Sequence, residues 1–345
     1  MALTEAFPSF KLLENLGTYC WHPDGLAVKS MRDVVPGDIR RGLASAEEPP
    51  PPLVDLARLN FPCKLRETLP PQEVPNRFPY YLGFLPAVLI AKRRLRQCRS
   101  AVASCAVSFD EIDFVIGGSG GEVLANREID KGTKYLVQKI PGTEMIGLGK
   151  SKFYTQDFAS FGFQFERLVT GSQIDARHDM KQHEGLRVVN VGGFNVLFSA
   201  EVDAVAADGK PVEIKSGNPR FLWGSLKLIL QMVASGSETL VSAKRAGVTI
   251  NGAVETSLEE LVRHYGVQQL QQKEESLIEA LGELTSQRKD LQSYILKQMG
   301  LYQFHLLWGN QTFSPRAKWC RSCWGQMTEE IRIGKKVFNS RGLFL

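Results

Sequence analysis

The spacing of apolar residues divides the chain into helical and extended segments. Apolar positions that recur about every 3.6 residues predict helices in residues 76–104, in residues 153–170 and around Gln231. Shorter apolar runs between Ser108 and Val137, separated by glycine-rich turns, predict strands. The chain therefore combines both kinds of secondary structure.

Helical spacing also continues from Ser257 to Gln298. Gly266 and Gly282 interrupt it, which favours helices that cover a core over a coiled coil. Together with the predicted strands, these segments predict an α+β fold. We expect mixed, largely antiparallel β-sheets flanked by helices.

The first part of the chain differs from the rest. Residues 1–75 are rich in turn-forming residues and include the polyproline-like sequence Glu47–Pro52, which is typical of a linker. We expect residues 1–75 to form an N-terminal wrap with a proline linker. Residues 76–345 are predicted to form a single catalytic domain.

Composition narrows the class of protein. A chain of 345 residues with 43% hydrophobic content can bury a sizeable core. No segment approaches the roughly 20 apolar residues of a membrane span, and Met1–Lys11 lacks the apolar region of a signal peptide. We therefore expect a protein of the nucleus, the cytoplasm or both, with no membrane partner. A net charge of +5 permits nucleic-acid binding without requiring it.

Three carboxylates and a lysine stand at the spacing at which side chains of a β-strand share a face. They are Glu201, Asp203, Glu213 and Lys215. A three-residue loop, Ala207–Gly209, would set Asp203 opposite Glu213 and Glu201 opposite Lys215 in an antiparallel hairpin spanning residues 195–216. We expect this register rather than the two-residue Asp-Gly turn, which would send Glu213 to the other face.

Opposed carboxylates predict a bound cation. Their Cβ atoms would lie about 5 Å apart and the charges would repel each other. Mg²⁺ or Mn²⁺ bound by hard oxygen ligands would relieve that repulsion. Ions held by Asp203 and Glu213 could activate a water and stabilise a leaving oxygen in phosphodiester hydrolysis, with Lys215 orienting the water or neutralising charge. The spacing D-x9-E-x-K resembles the PD-(D/E)xK nuclease signature and predicts a nuclease-like core. Its alternative is an ordinary amphipathic strand with solvated charges.

Two further motifs extend this pattern. Gly162–Glu166 has the form Gly-aromatic-x-aromatic-Glu, and Gln231 lies one helical turn after Lys227. The ordered set of Glu166, Glu201-x-Asp203, Glu213-x-Lys215 and Gln231 resembles the DXO (decapping and exoribonuclease) family of RNA 5′-end processing enzymes. The similarity extends from about residue 110 to residue 252.

The resemblance implies an activity and a role for each residue. It implies hydrolysis at RNA 5′ ends, with removal of incomplete or non-standard caps, including NAD caps, and 5′-to-3′ degradation. Two divalent ions in the active state are implied, and a 5′-3′ exoribonuclease protein is a conceivable partner. The implied metal ligands are Glu166, Asp203, Glu213 and the main-chain carbonyl of Ile214. Glu201 would hold a metal-bound water, and Lys215 and Gln231 would position the nucleophilic water or the scissile phosphate.

One departure from the family pattern affects the predicted grip on RNA. The family carries an arginine shortly after a strand like Asp113–Ile116, but here Gly117–Gly121 follows directly. We expect a flexible surface turn at these glycines. Arg127 could replace the missing arginine if that segment folds back. The departure also supports an alternative function, that of a catalytically altered RNA-binding or regulatory member of the family.

Three other motifs were weighed. The basic run Lys92–Arg96 would place Arg93 and Arg96 on one helical face, where they could contact phosphates or simply be solvated. Gly147–Ser151 ends like a Walker A loop but lacks its first glycine, which disfavours an NTPase. Cys320–Cys323 is a CxxC motif without a second cysteine pair, and six scattered cysteines fit reduced thiols.

Overall fold

A computed structural model of the chain describes ten stretches of the sequence. They are residues 2–21, 51–65, 84–101, 105–127, 134–140, 143–150, 161–171, 182–287, 293–298 and 304–305. Residues 47–50 of the proline linker, the CxxC motif, and the predicted helical residues 76–83, 102–104 and 153–160 lie outside the described residues. So does the predicted domain boundary near residue 75, which stays a prediction.

Helices and strands are interspersed along the chain. The helices are α1 (Ala2–Ala6), α2 (Phe84–Ala101), α3 (Gly120–Asn126), α4 (Phe161–Val169), α5 (Pro219–Leu222), α6 (Leu226–Ser235), α7 (Leu258–Tyr265) and α8 (Val267–Ser286). The strands are β1 (Phe10–Trp21), β2 (Cys63–Lys64), β3 (Phe114–Gly117), β4 (Lys134–Lys139), β5 (Ile146–Lys150), β6 (Gln182–Val191), β7 (Phe194–Glu201), β8 (Ala204–Val205), β9 (Pro211–Lys215), β10 (Thr239–Ala246), β11 (Thr249–Ser257), β12 (Ser293–Gln298) and β13 (Phe304–His305).

The strands form two mixed sheets. The large sheet has the order β1-β6-β7-β3-β5-β4-β12-β13, and β3 runs parallel to β5 and to β7. The small sheet has the order β2-β11-β10-β9-β8, and β9 runs parallel to β10. The remaining pairs are antiparallel. The predicted α+β fold with mixed, largely antiparallel sheets is confirmed.

Helices cover both faces of the large sheet. Helix α2 packs against β1 and β3, while α6 packs against β6 and β7. Helix α6 begins at Ser225, whose side chain accepts the Leu228 N–H, and ends at Gly236 with φ of 80°. Ile229 and Met232 of this helix are fully buried, and burial of each such side chain stabilises the fold by about 1.5–3 kcal/mol. Helix α6 thus joins the main core.

The small sheet has a core of its own. Phe165 and Val169 of α4 are fully buried and pack in one cluster with Ile214 and Val241 of the sheet. This packing fixes α4 against β9. Glu166, which follows Phe165 in α4, is thereby held close to the residues of β9.

Two predicted segments differ from the structure. The predicted surface turn of glycines is instead the end of β3, a two-residue turn and the start of α3. Gly120 is buried there, and a Cβ atom on it would lie 2.6 Å from Ile116 Cγ2, so a close approach requires the glycine. The helical prediction is wrong for Ser293–Gln298, which pairs as β12 with β4 and satisfies the backbone groups of that strand.

Two further observations bear on the predictions. Gly147–Lys150, the centre of the Walker-like motif, lies inside β5 rather than in a loop before a helix, so its described part lacks the structural setting of a phosphate-binding loop. None of the helices among the described residues has the length and apolar character that a membrane span requires.

Candidate active site

The chain passes from one sheet to the other at Val202 and Asp203. Strand β7 ends at Glu201 in the large sheet, and β8 begins at Ala204 in the small sheet. Glu201 therefore stands opposite Glu184 of β6. The prediction that one hairpin spans residues 195–216 and sets Glu201 opposite Lys215 is wrong. The ladder with β6 continues through a Val202 N–H to His183 carbonyl bond of 2.8 Å, and only then does the chain turn away.

The predicted register between Asp203 and Glu213 is confirmed. Ala204 pairs with Val212 and Val205 with Pro211, so the preceding Asp203 faces Glu213. A bond of 2.9 Å from the Ala206 N–H to the Lys210 carbonyl closes the loop. Gly209 has φ of 81°, the left-handed conformation that a three-residue loop requires.

Three of the four predicted metal ligands converge on the ammonium group of Lys215. Its Nζ atom lies 3.3 Å from Asp203 Oδ2 and 3.1 Å from the Ile214 carbonyl oxygen, and it also donates to Glu213 Oε1. Asp203 Oδ2 additionally accepts the Ile214 N–H at 2.8 Å. Asp203 is 8% exposed and Glu213 is fully buried. The predicted ligands thus surround a cation.

The charges at this site perturb one another. Burial, and then the carboxylates of Asp203 and Glu201, raise the pKa of Glu166 to about 9. Burial raises the pKa of Glu213 to about 8 although Lys215 acts in the opposite direction. Burial lowers the pKa of Lys215, but the carboxylates of Asp203 and Glu213 outweigh it and raise that pKa well above its ordinary value. The site therefore has more carboxylates than Lys215 can neutralise.

The residues present fit a hard divalent cation. Glu213 Oε2 is buried without a hydrogen-bond partner among the described residues, although buried carboxylate oxygens normally have one. Carboxylate and carbonyl oxygens are the ligands that Mg²⁺ and Mn²⁺ prefer. A bound ion would take the place of Lys215 Nζ between Asp203 and Glu213 and would draw the oxygen atoms of Glu166, Asp203 and Glu213 together, since these are not all within 4.8 Å of one another.

Gln231 lies at the edge of the same cluster. A Cβ atom built on Gly118 would lie 3.7 Å from Gln231 Cγ and 3.2 Å from Ala200 Cβ. Gln231 is therefore close to the end of β7, where Glu201 follows Ala200. The structure brings together Glu166, Glu201, Asp203, Glu213 and Lys215 and places Gln231 beside them; their individual roles stay predictions.

Arg245 of β10 is a site residue that no sequence motif predicted. Its Nε donates to the Ser216 carbonyl at 3.1 Å, directly after Lys215, and its guanidinium lies over the ring of Phe161 in α4. Arg245 thus connects the helix that carries Glu166 with the strand that carries Glu213. The only signal in the sequence is the basic pair Lys244-Arg245 at the end of a strand, and it needs the parallel pairing of β9 and β10 to be interpreted.

Comparison with known proteins relates this arrangement to a fold. No protein-family sequence model matches the chain, and no curated protein does. Candida albicans Rai1 in complex with pU5 and Mn²⁺ matches with a TM-score of 0.54 and 11% identity, over 83% of this chain and 86% of that one. S. pombe Rai1 in complex with 3′-FADP matches with a TM-score of 0.50 and 16% identity, over 83% and 90% of the two chains.

The chain has the fold of Rai1. Rai1 is a member of the DXO family, so the resemblance seen in the sequence motifs is confirmed at the level of the fold. Ligand-free S. pombe Rai1 matches equally, with a TM-score of 0.50 and 15% identity. At these identities the similarity to Rai1 establishes the architecture alone.

Arg127, which follows the glycine-rich turn in sequence, forms ion pairs with two acidic residues of α8. Its guanidinium forms ion pairs with Glu279 at 3.2 Å and with Glu283 at 2.8 Å, both on α8. Its φ of 54° ends α3 in a left-handed conformation. These contacts fasten α3 to α8, and they do not favour the idea that Arg127 replaces the missing arginine.

The basic run of α2 is divided between two tasks. Arg94 donates to the carbonyls of Leu16 at 2.5 Å and Thr18 at 2.7 Å, and Lys92 lies over the ring of Phe109. Arg93 and Arg96 are exposed. Two of these basic residues therefore hold α2 in place, and two remain at the surface.

Proposed function

We propose that the protein is a metal-dependent hydrolase that acts on RNA 5′ ends. The observation that carries this proposal is the convergence of Asp203, Glu213 and the Ile214 carbonyl on one cation in a protein with the Rai1 fold. The buried carboxylates of Asp203 and Glu213, with those of Glu166 and Glu201 near enough to interact with them, are costly for a fold unless a cation is bound. A retained catalytic site accounts for that cost.

The cation site has a defined set of ligands. Glu166, Asp203, Glu213 and the Ile214 carbonyl would hold Mg²⁺ or Mn²⁺, with two ions in the active state. Divalent ions supply polarisation of the phosphodiester oxygen and a lower pKa for bound water. Glu213 Oε2, which has no hydrogen-bond partner among the described residues, is free to serve as a ligand.

The remaining site residues position the reacting groups. Glu201 lies at the exposed end of β7, where its carboxylate would hold and orient the attacking water. Lys215 offsets the negative charge that develops on the phosphate. The Gln231 amide, beside Ala200, donates to the scissile phosphate or to the water.

The substrate class follows from the ligands of the proteins with the same fold. S. pombe Rai1 binds 3′-FADP, and Candida albicans Rai1 binds pU5 with Mn²⁺. We infer that this chain takes an RNA 5′ end, removes incomplete or non-standard caps, including NAD caps, and degrades RNA from 5′ to 3′. We also place it in the nucleus, the cytoplasm or both, with a 5′-3′ exoribonuclease protein as a candidate partner.

One assay tests this proposal directly. The purified full chain is incubated with RNAs that carry a 5′ monophosphate, a triphosphate, an unmethylated cap or an NAD cap, in Mn²⁺, in Mg²⁺ and in chelator. We expect cleavage of at least one RNA that depends on the divalent ion. Absence of cleavage of all four RNAs in both metals would refute the hydrolase assignment.

A second function is favoured by one observation. Gly118 stands beside Gln231 in the turn where the resemblance to the DXO family leads us to expect an arginine, so one contact with the RNA backbone would be absent. This supports an RNA-binding or regulatory protein with altered catalysis. Tight binding of the RNA panel without metal-dependent cleavage would favour it over the hydrolase.

A further inference from the structure

A second group of potential metal ligands lies away from the candidate active site. Glu14 of β1, Cys98 of α2 and Cys105, which follows α2, each offer one ligand atom, and these atoms all lie within 4.8 Å of one another. The three residues are half-buried. None of the predicted catalytic or metal-binding residues lies on β1, on α2 or in the segment after α2. The group is therefore a separate feature of the molecule.

The surrounding backbone holds two of these side chains in place. Glu14 Oε1 accepts the N–H of Ala106 at 2.7 Å, which ties the carboxylate to the segment that carries Cys105. The Cys105 thiol donates to the Val107 carbonyl at 3.2 Å. The ladder between β1 and β6 is irregular just before Glu14 and again after Asn15, so Glu14 lies on a short paired segment between two irregularities.

The surroundings of Cys105 disfavour a reactive thiolate. Burial, and then hydrogen bonding with Cys98 and the Glu14 carboxylate, raise the pKa of the Cys105 thiol. A raised pKa makes a thiol a poor nucleophile at neutral pH. A bound metal ion would lower the pKa of the Cys105 thiol, because it stabilises the thiolate. It would also be attracted to the Glu14 carboxylate.

We propose that Cys98, Cys105 and Glu14 bind one thiophilic divalent cation, for which Zn²⁺ is the chemically best match. A tetrahedral zinc ion with Zn–S bonds of about 2.3 Å places its ligand atoms about 3.8 Å apart. Ligand atoms already within 4.8 Å reach that separation through small side-chain rotations. Water completes the fourth position, because the three residues are only partly buried.

The site differs in selectivity from the candidate active site. Two thiolates favour Zn²⁺ over Mg²⁺ or Mn²⁺, whereas the oxygen ligands around Lys215 favour the harder ions. Binding converts the two thiols to thiolates and releases two protons to the solvent. The bound ion joins the end of α2 and the segment after it to β1, which gives it a structural role.

Cobalt provides a direct probe of this site. The full chain, kept reduced by a phosphine and carrying Cys320→Ser and Cys323→Ser to remove the CxxC motif, is titrated with Co²⁺. We expect one equivalent to bind with a thiolate-to-cobalt charge-transfer absorption in the near ultraviolet. Zn²⁺ should displace it and Mn²⁺ should not.

Variants assign the absorption to its ligands. Cys98→Ser and Cys105→Ser should each lose about half of the charge-transfer intensity, and each should weaken binding by more than the roughly 10–100-fold typical of an outer-shell partner. Cys63→Ser is the matched control, because Cys63 is a half-buried free thiol on β2 of the small sheet. It should leave the titration unchanged.

The outcomes that overturn the proposal are distinct. The proposal is wrong if the reduced protein shows no such absorption. It is also wrong if the absorption persists when Cys98 and Cys105 are both replaced by serine. If that double variant does not fold, Glu14→Gln decides, since loss of the carboxylate should weaken cobalt binding while both thiolates remain. Glu213→Gln should leave the thiolate-to-cobalt absorption intact, so the result does not depend on the proposed hydrolase.

Discussion

The guanidinium carbon of Arg245 lies 4.8 Å from the centre of the Phe161 ring. The same side chain donates to the carbonyls of Ser216 at 3.1 Å and Gly247 at 3.0 Å. It therefore braces the helix that carries Glu166 against the end of β9. This contact makes Arg245 a positioning residue of the candidate active site.

Replacing Arg245 should weaken both stability and activity. Arg245→Ala removes a cation–π contact of about 0.5–2 kcal/mol and two hydrogen bonds of about 0.5–1.5 kcal/mol each, and we expect a net loss of roughly 1–3 kcal/mol in urea unfolding. Arg245→Lys keeps the charge without the planar guanidinium, so its free energy of unfolding should lie between those of the wild type and Arg245→Ala. The exposed neighbour Lys244→Ala is the control. Equal losses for Lys244→Ala and Arg245→Ala would show that the brace has no special role.

Two carboxamide substitutions test the metal site. Glu213→Gln and Asp203→Asn should abolish hydrolysis because each removes a ligand charge, while RNA binding is retained because the removed charges repel phosphate. Cleavage rates and RNA affinity are measured on the same preparations. Glu255→Gln, on the exposed side of β11, is the control and should cleave normally. Cleavage at the wild-type rate by either variant would contradict the assignment.

The metal-free protein should lose stability as the pH rises. Burial and neighbouring carboxylates raise the pKa of Glu166 from 4.5 to about 9, so the folded state holds a proton that the unfolded chain has released. The resulting stabilisation is complete below the unfolded value of 4.5 and is lost as the pH rises through about 9. Urea midpoints measured in chelator across this range test it.

Substitution and metal should both change that pH profile. Glu166→Gln should flatten the decline, because an amide has no proton to lose, whereas Glu255→Gln should leave it unchanged. Added Mn²⁺ should stabilise the protein most at the alkaline end, where the carboxylates are ionised. A wild-type profile in chelator that is flat over the whole range would show that these carboxylates do not share a buried site.

Local sequence signals were sufficient to predict the pairing of Asp203 with Glu213 but not the structure around that pair. Gly209 and the acidic spacing predicted the register of Asp203 and Glu213, because a turn type determines the pairing of its flanking residues. The break at Val202 could not be predicted, since no glycine or proline separates β7 from β8 in the sequence and the pairing with β6 determines where β7 ends. Arg245 depends on the parallel pairing of β9 and β10, which the local sequence does not encode.

The glycines after β3 are a second case in which the local sequence predicted the wrong structure. Five glycine or serine residues in a row are typical of a flexible turn, and the sequence analysis interpreted them so. In the structure, close packing against Ile116 requires Gly120, and helix α3 begins there. Propensity is overridden here by a tertiary contact.

Gly118 is the position at which a substitution should strengthen RNA binding. A Cβ atom there would lie 3.7 Å from Gln231 Cγ, so a long side chain would begin at the edge of the active site. Gly118 does not have a positive φ, and the contact of 3.2 Å with Ala200 Cβ requires a shift of only a few tenths of an ångström. Gly118→Arg should therefore fold and place a guanidinium where it can contact a phosphate.

The added charge should have a characteristic salt dependence. One more phosphate contact should tighten RNA binding and steepen the slope of log affinity against log salt by about 0.7–1. Gly118→Ala, which fills the same space without charge, should leave the slope unchanged. Arg127→Ala should lower stability by loss of its ion pairs with Glu279 and Glu283 and should have little effect on the slope. If Gly118→Arg changes neither affinity nor slope, the turn after β3 does not contact RNA; if Arg127→Ala reduces the slope, Arg127 replaces the missing arginine after all.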